Sequence, residues 1–234
     1  MERTSVSRRR FLQAAAATLP AVSVLGCSDL LSDKSEHASQ LAFFTQAEYR
    51  LIEAMTDRLI PSDDNGPGAK EAMVAFFIDR QLAGAYGRAE TWYMQGPWQE
   101  GSEEQGYQLK LTPAQFYRLA LRNIEAYCEQ EYGSGFVQLS ADQQDAVLHG
   151  LEEGKIELAD IEEKQFFDFL QQNTVEGFFA DPLYGGNRHF IGWQLIGFPG
   201  PRYNYVDDIE RHGEPYPHPT VGLLGRDGSR TGVI

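Results

Sequence analysis

EGFFADPLYGGNRHFIGWQLIGFPGP, residues 176–201, is the stretch around which the rest of the chain arranges itself. Elsewhere the sequence reads as helices; here glycines and prolines break up Phe178, Phe179, Tyr184, Phe190, Trp193 and Phe198. Gly185-Gly186-Asn187 is turn chemistry, because Gly and Asn tolerate positive φ. Asp181-Pro182 stops any incoming helix, since proline disfavours the α region for the residue before it. The rings are too apolar for a free loop. They pack against the helices as buried core, or against another chain as a docking surface, and local pattern leaves both readings open.

Outward from this stretch, helix signals recur. Thr45-Gln-Ala-Glu48 is a capping box, followed by Tyr49, Ile52, Met55 and Leu59 at three- and four-residue steps. Pro61 ends that helix. A second helix is expected from about Ala69 to Leu82, with Met73, Phe76, Phe77 and Leu82 as apolar contacts. Thr112-Pro113-Ala-Gln115 starts a third, with proline in the first turn, and Phe116, Leu119, Ala120, Ile124 and Tyr127 mark its core face. Ser140-Ala-Asp-Gln143 caps a fourth carrying Val147, Leu148 and Leu151, and a fifth is expected from about Ile161 to Val175. The fold class is mainly α: a single helical domain of about five helices, residues 41–205, with long irregular loops and an extended tail over 206–234. Between helices two and three, Gly84 to Leu111 mixes Trp92, Tyr93, Trp98 and Tyr107 with glycines and glutamates. Such long connections are usually functional or partner-bound; the alternative is an Ω-like loop pinned by its own rings.

The N-terminus carries an address. Ser7-Arg8-Arg9-Arg10-Phe11-Leu12 is a twin-arginine pattern, and the charge-free apolar run from Ala14 to Gly26 is too short to span a bilayer, which takes roughly 20 residues. A basic region, a short apolar region and small residues at the exit make a secretory signal. The paired Arg8 and Arg9, with Phe11 and Leu12, point to the Tat route, which carries folded cargo. Val24-Leu25-Gly26-Cys27 resembles a lipobox with an unusual leucine at its second position. Lipidation of Cys27 and ordinary cleavage nearby both stand as readings; the first would anchor the protein to a membrane by lipid alone. Residues 28–40 are a polar tether.

Composition excludes several functions. The formal net charge is −14, and loss of residues 1–27, with four arginines and one glutamate, takes it to −17. Nucleic acids and anionic membrane surfaces call for basic patches instead. Cys128 is the only other cysteine, so stability rests on packing rather than a disulfide. No H-E-x-x-H, C-x-x-C-H, G-x-S-x-G or phosphate loop occurs, and the glycines around Gly185 follow no strand of a dinucleotide-binding unit. Asp63-Asp64-Asn65-Gly66 lacks the ligand spacing of a calcium loop. His189, with no second ligand at metal spacing, reads better as a structural or interface histidine than as a base or ligand. His212, Glu214 and His218 lie in a proline-rich stretch that favours an extended surface segment over a metal site. The sequence calls for no catalytic, cofactor-binding or metal residue.

Several pieces together resemble the gluconate 2-dehydrogenase subunit 3 family. They are Leu59-Ile60-Pro61-Ser62-Asp63, Gly66-Pro67-Gly68-Ala69 leading into Phe76-Phe77-Ile78-Asp79, the G-P-W-x-x-G at 96–101, Gly106-Tyr107-Gln108 and Tyr117-Arg118. The rear segment from Gly177 through Asp181-Pro182, Tyr184-Gly185-Gly186-Asn187 and Gly192-Trp193 to Gly197-Phe198-Pro199-Gly200 is the most specific part. The resemblance spans about 43 to 205. It implies a non-catalytic small subunit of a periplasmic sugar or polyol dehydrogenase, without a cofactor of its own. Its partners would be a glucose–methanol–choline (GMC) type catalytic subunit bearing FAD, often a multihaem cytochrome c, and the Tat translocase. Its role would be to help the flavoprotein mature and leave the cytoplasm. Tyr184, Arg188, Phe190, Trp193, Trp92 and Trp98 are then the expected partner-binding residues. Two other classes compete: a free-standing sugar-binding lipoprotein stacking its ligand on Trp92, Trp98 or Trp193, and an enzyme built on His189 and Asp181.

Overall fold

The structure, a computed structural model, describes residues 41–99, 101–102 and 105–224. Arg8, Arg9, Phe11, Leu12, Cys27 and the tether of 28–40 lie outside the described residues. Among those described, six α-helices follow in order: α1 Gln46–Leu59, α2 Val74–Ala83, α3 Pro113–Tyr132, α4 Ala141–Glu152, α5 Glu163–Phe179 and the short α6 Ile191–Leu195. No strand occurs among them. The mainly α expectation holds, and so do the first five helices.

The three capping boxes form with both reciprocal bonds, at Thr45/Glu48, Thr112/Gln115 and Ser140/Gln143. Gly133 closes α3 in the left-handed conformation, with φ 73°. Two boundaries differ from expectation. α2 begins at Val74 rather than Ala69, because Gly68 is packed against the Ile60 carbonyl and Met73 turns left-handed at φ 58°. α5 runs on to Phe179 and takes up the first four residues of the opening stretch; nothing before Asp181-Pro182 interrupts its hydrogen bonding. Asp63-Asn65-Gly66 is a self-contained turn: both carboxylate oxygens of Asp63 accept from Asn65, at 2.8 and 3.0 Å, and its backbone bridges to Gly66.

α5 is the central helix, packed against each of the other five. Its Phe166, Phe167, Leu170 and Phe178 meet Ile52 and Met55 of α1, Phe77 and Ile78 of α2, Phe116, Tyr117 and Ile124 of α3 and Leu148 of α4. Edge-to-face ring pairs such as Phe116–Phe166 at 6.1 Å and Tyr117–Phe166 at 5.4 Å fill this core, a geometry that the ring quadrupoles favour. The buried polar side chains Asn173 and Asp79 are matched. The Asn173 carbonyl oxygen accepts from the Tyr117 hydroxyl at 2.7 Å and the Tyr86 hydroxyl at 3.2 Å. The carboxylate of Asp79, fully buried on α2, accepts the backbone amides of Ala42, Phe43 and Phe44. A buried carboxyl group needs such bonds, and these fix the chain entering α1.

The Gly84–Leu111 connection is pinned by its own rings. Trp92 meets Tyr86 at 5.7 Å, Tyr107 at 5.0 Å and Phe169 of α5 at 6.4 Å, all edge-on.

Candidate functional site

The irregular stretch after α5 holds its shape by close backbone approach. A Cβ on Gly186 would lie 2.1 Å from the Gly177 carbonyl oxygen, and one on Gly192 2.1 Å from that of Phe178, so both positions need glycine for space. Asp181 accepts the Leu183 amide at 2.9 Å and starts a 3₁₀ turn over Pro182–Tyr184, which Gly185 ends at φ 99°. Asn187 is fully buried and left-handed. Its side chain donates to the Ala180 carbonyl and accepts from the Gly192 amide, both at 2.8 Å. His189 and Phe190 are also left-handed, at φ 56° and 62°. Three such residues within four positions are costly for non-glycine side chains, and they reverse the chain so that α6 folds back onto the end of α5. The Arg188 amide donates to the Ala72 carbonyl at 3.1 Å, a group that the left-handed turn at Met73 leaves outside α2.

This reversal sorts the rings into two sets. Phe190 and Trp193 are buried, 4% and 5% exposed, and stack on each other at 5.4 Å. The Trp193 indole donates to the Phe179 carbonyl at 2.8 Å. These two were expected as partner anchors; the structure places them inside, where the α6 turn presses them against α5 and no ring face is open for a partner or a sugar. Tyr184 is half exposed. Arg188 is half-buried, its guanidinium 3.3 Å from the Met73 sulfur. Trp92 is engaged in the ring cluster described above, whereas Trp98 is partly exposed beside a broad hollow of about 900 Å³ bordered by Gln108, Lys110 and Lys164.

The outward set is different, and sequence reasoning missed most of it. Leu195, the last residue of α6, and Ile196 and Phe198 just beyond it are exposed, Ile196 to 61%. Tyr203, Val206 and Ile209 continue the apolar surface, Tyr203 fully exposed, and Leu223 and Leu224 are exposed as well. The returning tail is tied to the same place: Val221 donates to the Pro199 carbonyl at 3.2 Å, and the Leu223 amide to the second carboxylate oxygen of Asp181 at 2.8 Å. A shallow hollow of about 470 Å³ between α2 and α5, bordered by Phe77, Val175, Phe179 and Tyr184, lies beside it. Ten of the fourteen large apolar side chains that are exposed among the described residues fall between Tyr184 and Leu224. Apolar surface concentrated in this way marks an interaction site in a soluble protein. Asp207, Asp208, Glu210 and Glu214 lie in the same segment as Arg202 and Arg211, and Arg211 pairs with Asp208 and Glu214. The signal that carried this in the sequence is Leu195-Ile196-Gly197-Phe198, an apolar run with no polar alternation, directly after a helix too short to bury it.

His189 is exposed, and its backbone carbonyl accepts from Gln194 at 3.0 Å. Glu214 is paired with Arg211 at 2.9 Å, and His218 meets the Tyr216 ring edge-on. Among the described residues no three His, Cys, Asp or Glu side chains are grouped to hold a metal. Burial pushes the Cys128 thiol up to about 12, with Glu125 and Glu129 adding to the shift; it is a packing residue. No match to a curated protein or to a solved structure was found. The gluconate 2-dehydrogenase subunit 3 family matches residues 46–200, from the first residue of α1 through all six helices to Gly200. With two thirds of its length so covered, the chain belongs to the gluconate 2-dehydrogenase subunit 3 family.

Proposed function

We propose that this chain is the non-catalytic small subunit of a periplasmic sugar or polyol dehydrogenase. It binds a GMC-type flavoprotein, assists the maturation of that FAD-bearing subunit, and takes it through the Tat translocase on the signal at Arg8 and Arg9. A multihaem cytochrome c would complete the complex as electron acceptor. The observation that carries the reading is the family match over residues 46–200. The exposed apolar side chains between Tyr184 and Leu224 support it by giving a partner something to bind. FAD has to be inserted before export, and a translocase that accepts folded cargo lets one signal serve two chains.

The test is co-expression with a GMC-type flavoprotein from the same genome. The two should purify together, and replacing Arg8 and Arg9 with Lys should hold both in the cytoplasm. Normal export of the flavoprotein with that double variant overturns the escort role. Ile196→Asp combined with Phe198→Ser should weaken association by at least about 2 kcal/mol, as loss of an interface hot spot does, without unfolding the free chain. Mass spectrometry of the mature terminus separates a lipid on Cys27 from ordinary cleavage.

A further inference from the structure

α1 and α3 enclose a groove of about 460 Å³, a size typical of small-ligand sites. Leu51 and Leu121 form its floor, and exposed Val137, from the turn before α4, forms one wall. Three arginines line it, Arg50 from α1 and Arg118 and Arg122 from α3, in a chain whose net charge is −14. Arg118 and Arg122 are four residues apart and so share a helix face.

The acids of the groove are already committed. Glu48 accepts the Thr45 amide at 2.7 Å and both of its oxygens take Arg118 at 2.6 Å. Burial alone would raise the Glu48 carboxyl; the bonds from Thr45 and Arg118 outweigh it and hold the group below its usual range. Glu125 accepts the Phe136 amide at 3.2 Å. Arg118 is likewise used up, on Glu48, on the Phe43 carbonyl, and over the Phe43 ring at 4.4 Å. Arg50 and Arg122 are exposed and, among the described residues, have no acidic partner. What remains is an apolar trough with two uncommitted guanidinium groups at its rim.

We infer that this groove binds a small amphiphilic carboxylate, its apolar body on Leu51, Leu121 and Val137 and its head between Arg50 and Arg122. Guanidinium matches a carboxylate in a planar, two-bond geometry that a lysine would not give. Charge selects the head: an acidic chain repels anions everywhere except where its own acids are neutralised. The inference is independent of any flavoprotein partner.

Octanoate and 1-octanol, titrated separately into the full chain by calorimetry, test it. Octanoate should bind, 1-octanol about tenfold more weakly or not at all, and the exposed double variant R50Q/R122Q should lose about tenfold in octanoate affinity. The octanoate affinity should also fall with added salt. Arg211→Gln, remote from the groove, should change nothing. Absence of octanoate binding tighter than roughly 10 mM, equal binding of the alcohol, or unchanged affinity in R50Q/R122Q overturns the inference. Circular dichroism of the double variant against the parent chain ensures that lost binding reports the charges rather than the fold.

Discussion

Trp193 shows how one residue divides scaffold from surface. It lies two residues beyond the start of α6, stacked on Phe190 and bonded through its indole to the Phe179 carbonyl. Two residues further on, Leu195 is half exposed, and Ile196 more so. Truncating a buried tryptophan removes its transfer energy and leaves a cavity, so Trp193→Ala should destabilise the free chain by about 3–5 kcal/mol. Trp193→Phe keeps a ring against Phe190 and loses the bond to Phe179, which costs about 1–2 kcal/mol. Urea unfolding of the two variants beside the parent chain measures both. A Trp193→Ala chain as stable as its parent would mean that the ring does not hold the loop and that the buried placement is wrong.

The elements meet closely at the crossing of α2 and α5, where sequence rules give the wrong sign. Helix propensity favours Ala over Gly at an interior position such as Gly177 by about 1 kcal/mol. A Cβ at Gly177, however, would stand 2.8 Å from Cδ1 and 3.1 Å from Cγ of Phe77, with Val74 3.2 Å away. Neither neighbour is the free end of a flexible chain, so overpacking of about 1–3 kcal/mol outweighs the propensity gain. Gly177→Ala should therefore lower the thermal midpoint; a rise would show that α2 can retreat. The same crossing marks the limit of reading this fold from sequence. The caps at Thr45, Thr112 and Ser140 were legible because a capping box is local chemistry. The opening stretch was legible as turns, but not as to which ring faces where. Left-handed φ at His189 and Phe190 breaks both the 3.6- and the 2-residue period, and only α5 beneath it decides that Phe190 and Trp193 go in while Ile196 and Phe198 stay out. Met73 shortens α2 for a similar reason: its left-handed turn serves Arg188, 115 residues away.

Across the whole molecule, two opposing charge effects set the response to acid. The chain carries 34 acidic against 20 basic side chains and has a pI near 4.7, so lowering the pH from 7 toward 5 relieves self-repulsion. Two ion pairs act the other way. Arg58 grips Asp145 with two bonds of 2.7 Å and joins α1 to α4; Arg118 grips Glu48 and joins α1 to α3. The hydrogen bond from Arg58 holds the Asp145 carboxyl below its usual 3.8, and Glu48, whose burial is outweighed by Thr45 and Arg118, lies below its usual 4.5. A carboxyl with a depressed folded pKa contributes stability above its unfolded value and loses that contribution as the pH falls through the folded one. Asp57 runs counter, its carboxyl raised chiefly by burial, and so softens the loss. The urea midpoint should hold or rise between pH 7 and about 5, then fall below about 4 as Glu48 and Asp145 protonate. Replacing Arg58 and Arg118 together with Gln should lower stability at pH 7 and flatten that acid limb, because their carboxyl partners then titrate near their unfolded values. Both pairs are partly exposed, so the effect at neutral pH is modest and shrinks with salt. An acid limb equally steep in the double variant would assign acid sensitivity to other carboxylates and leave the α1 pairs without a part in it.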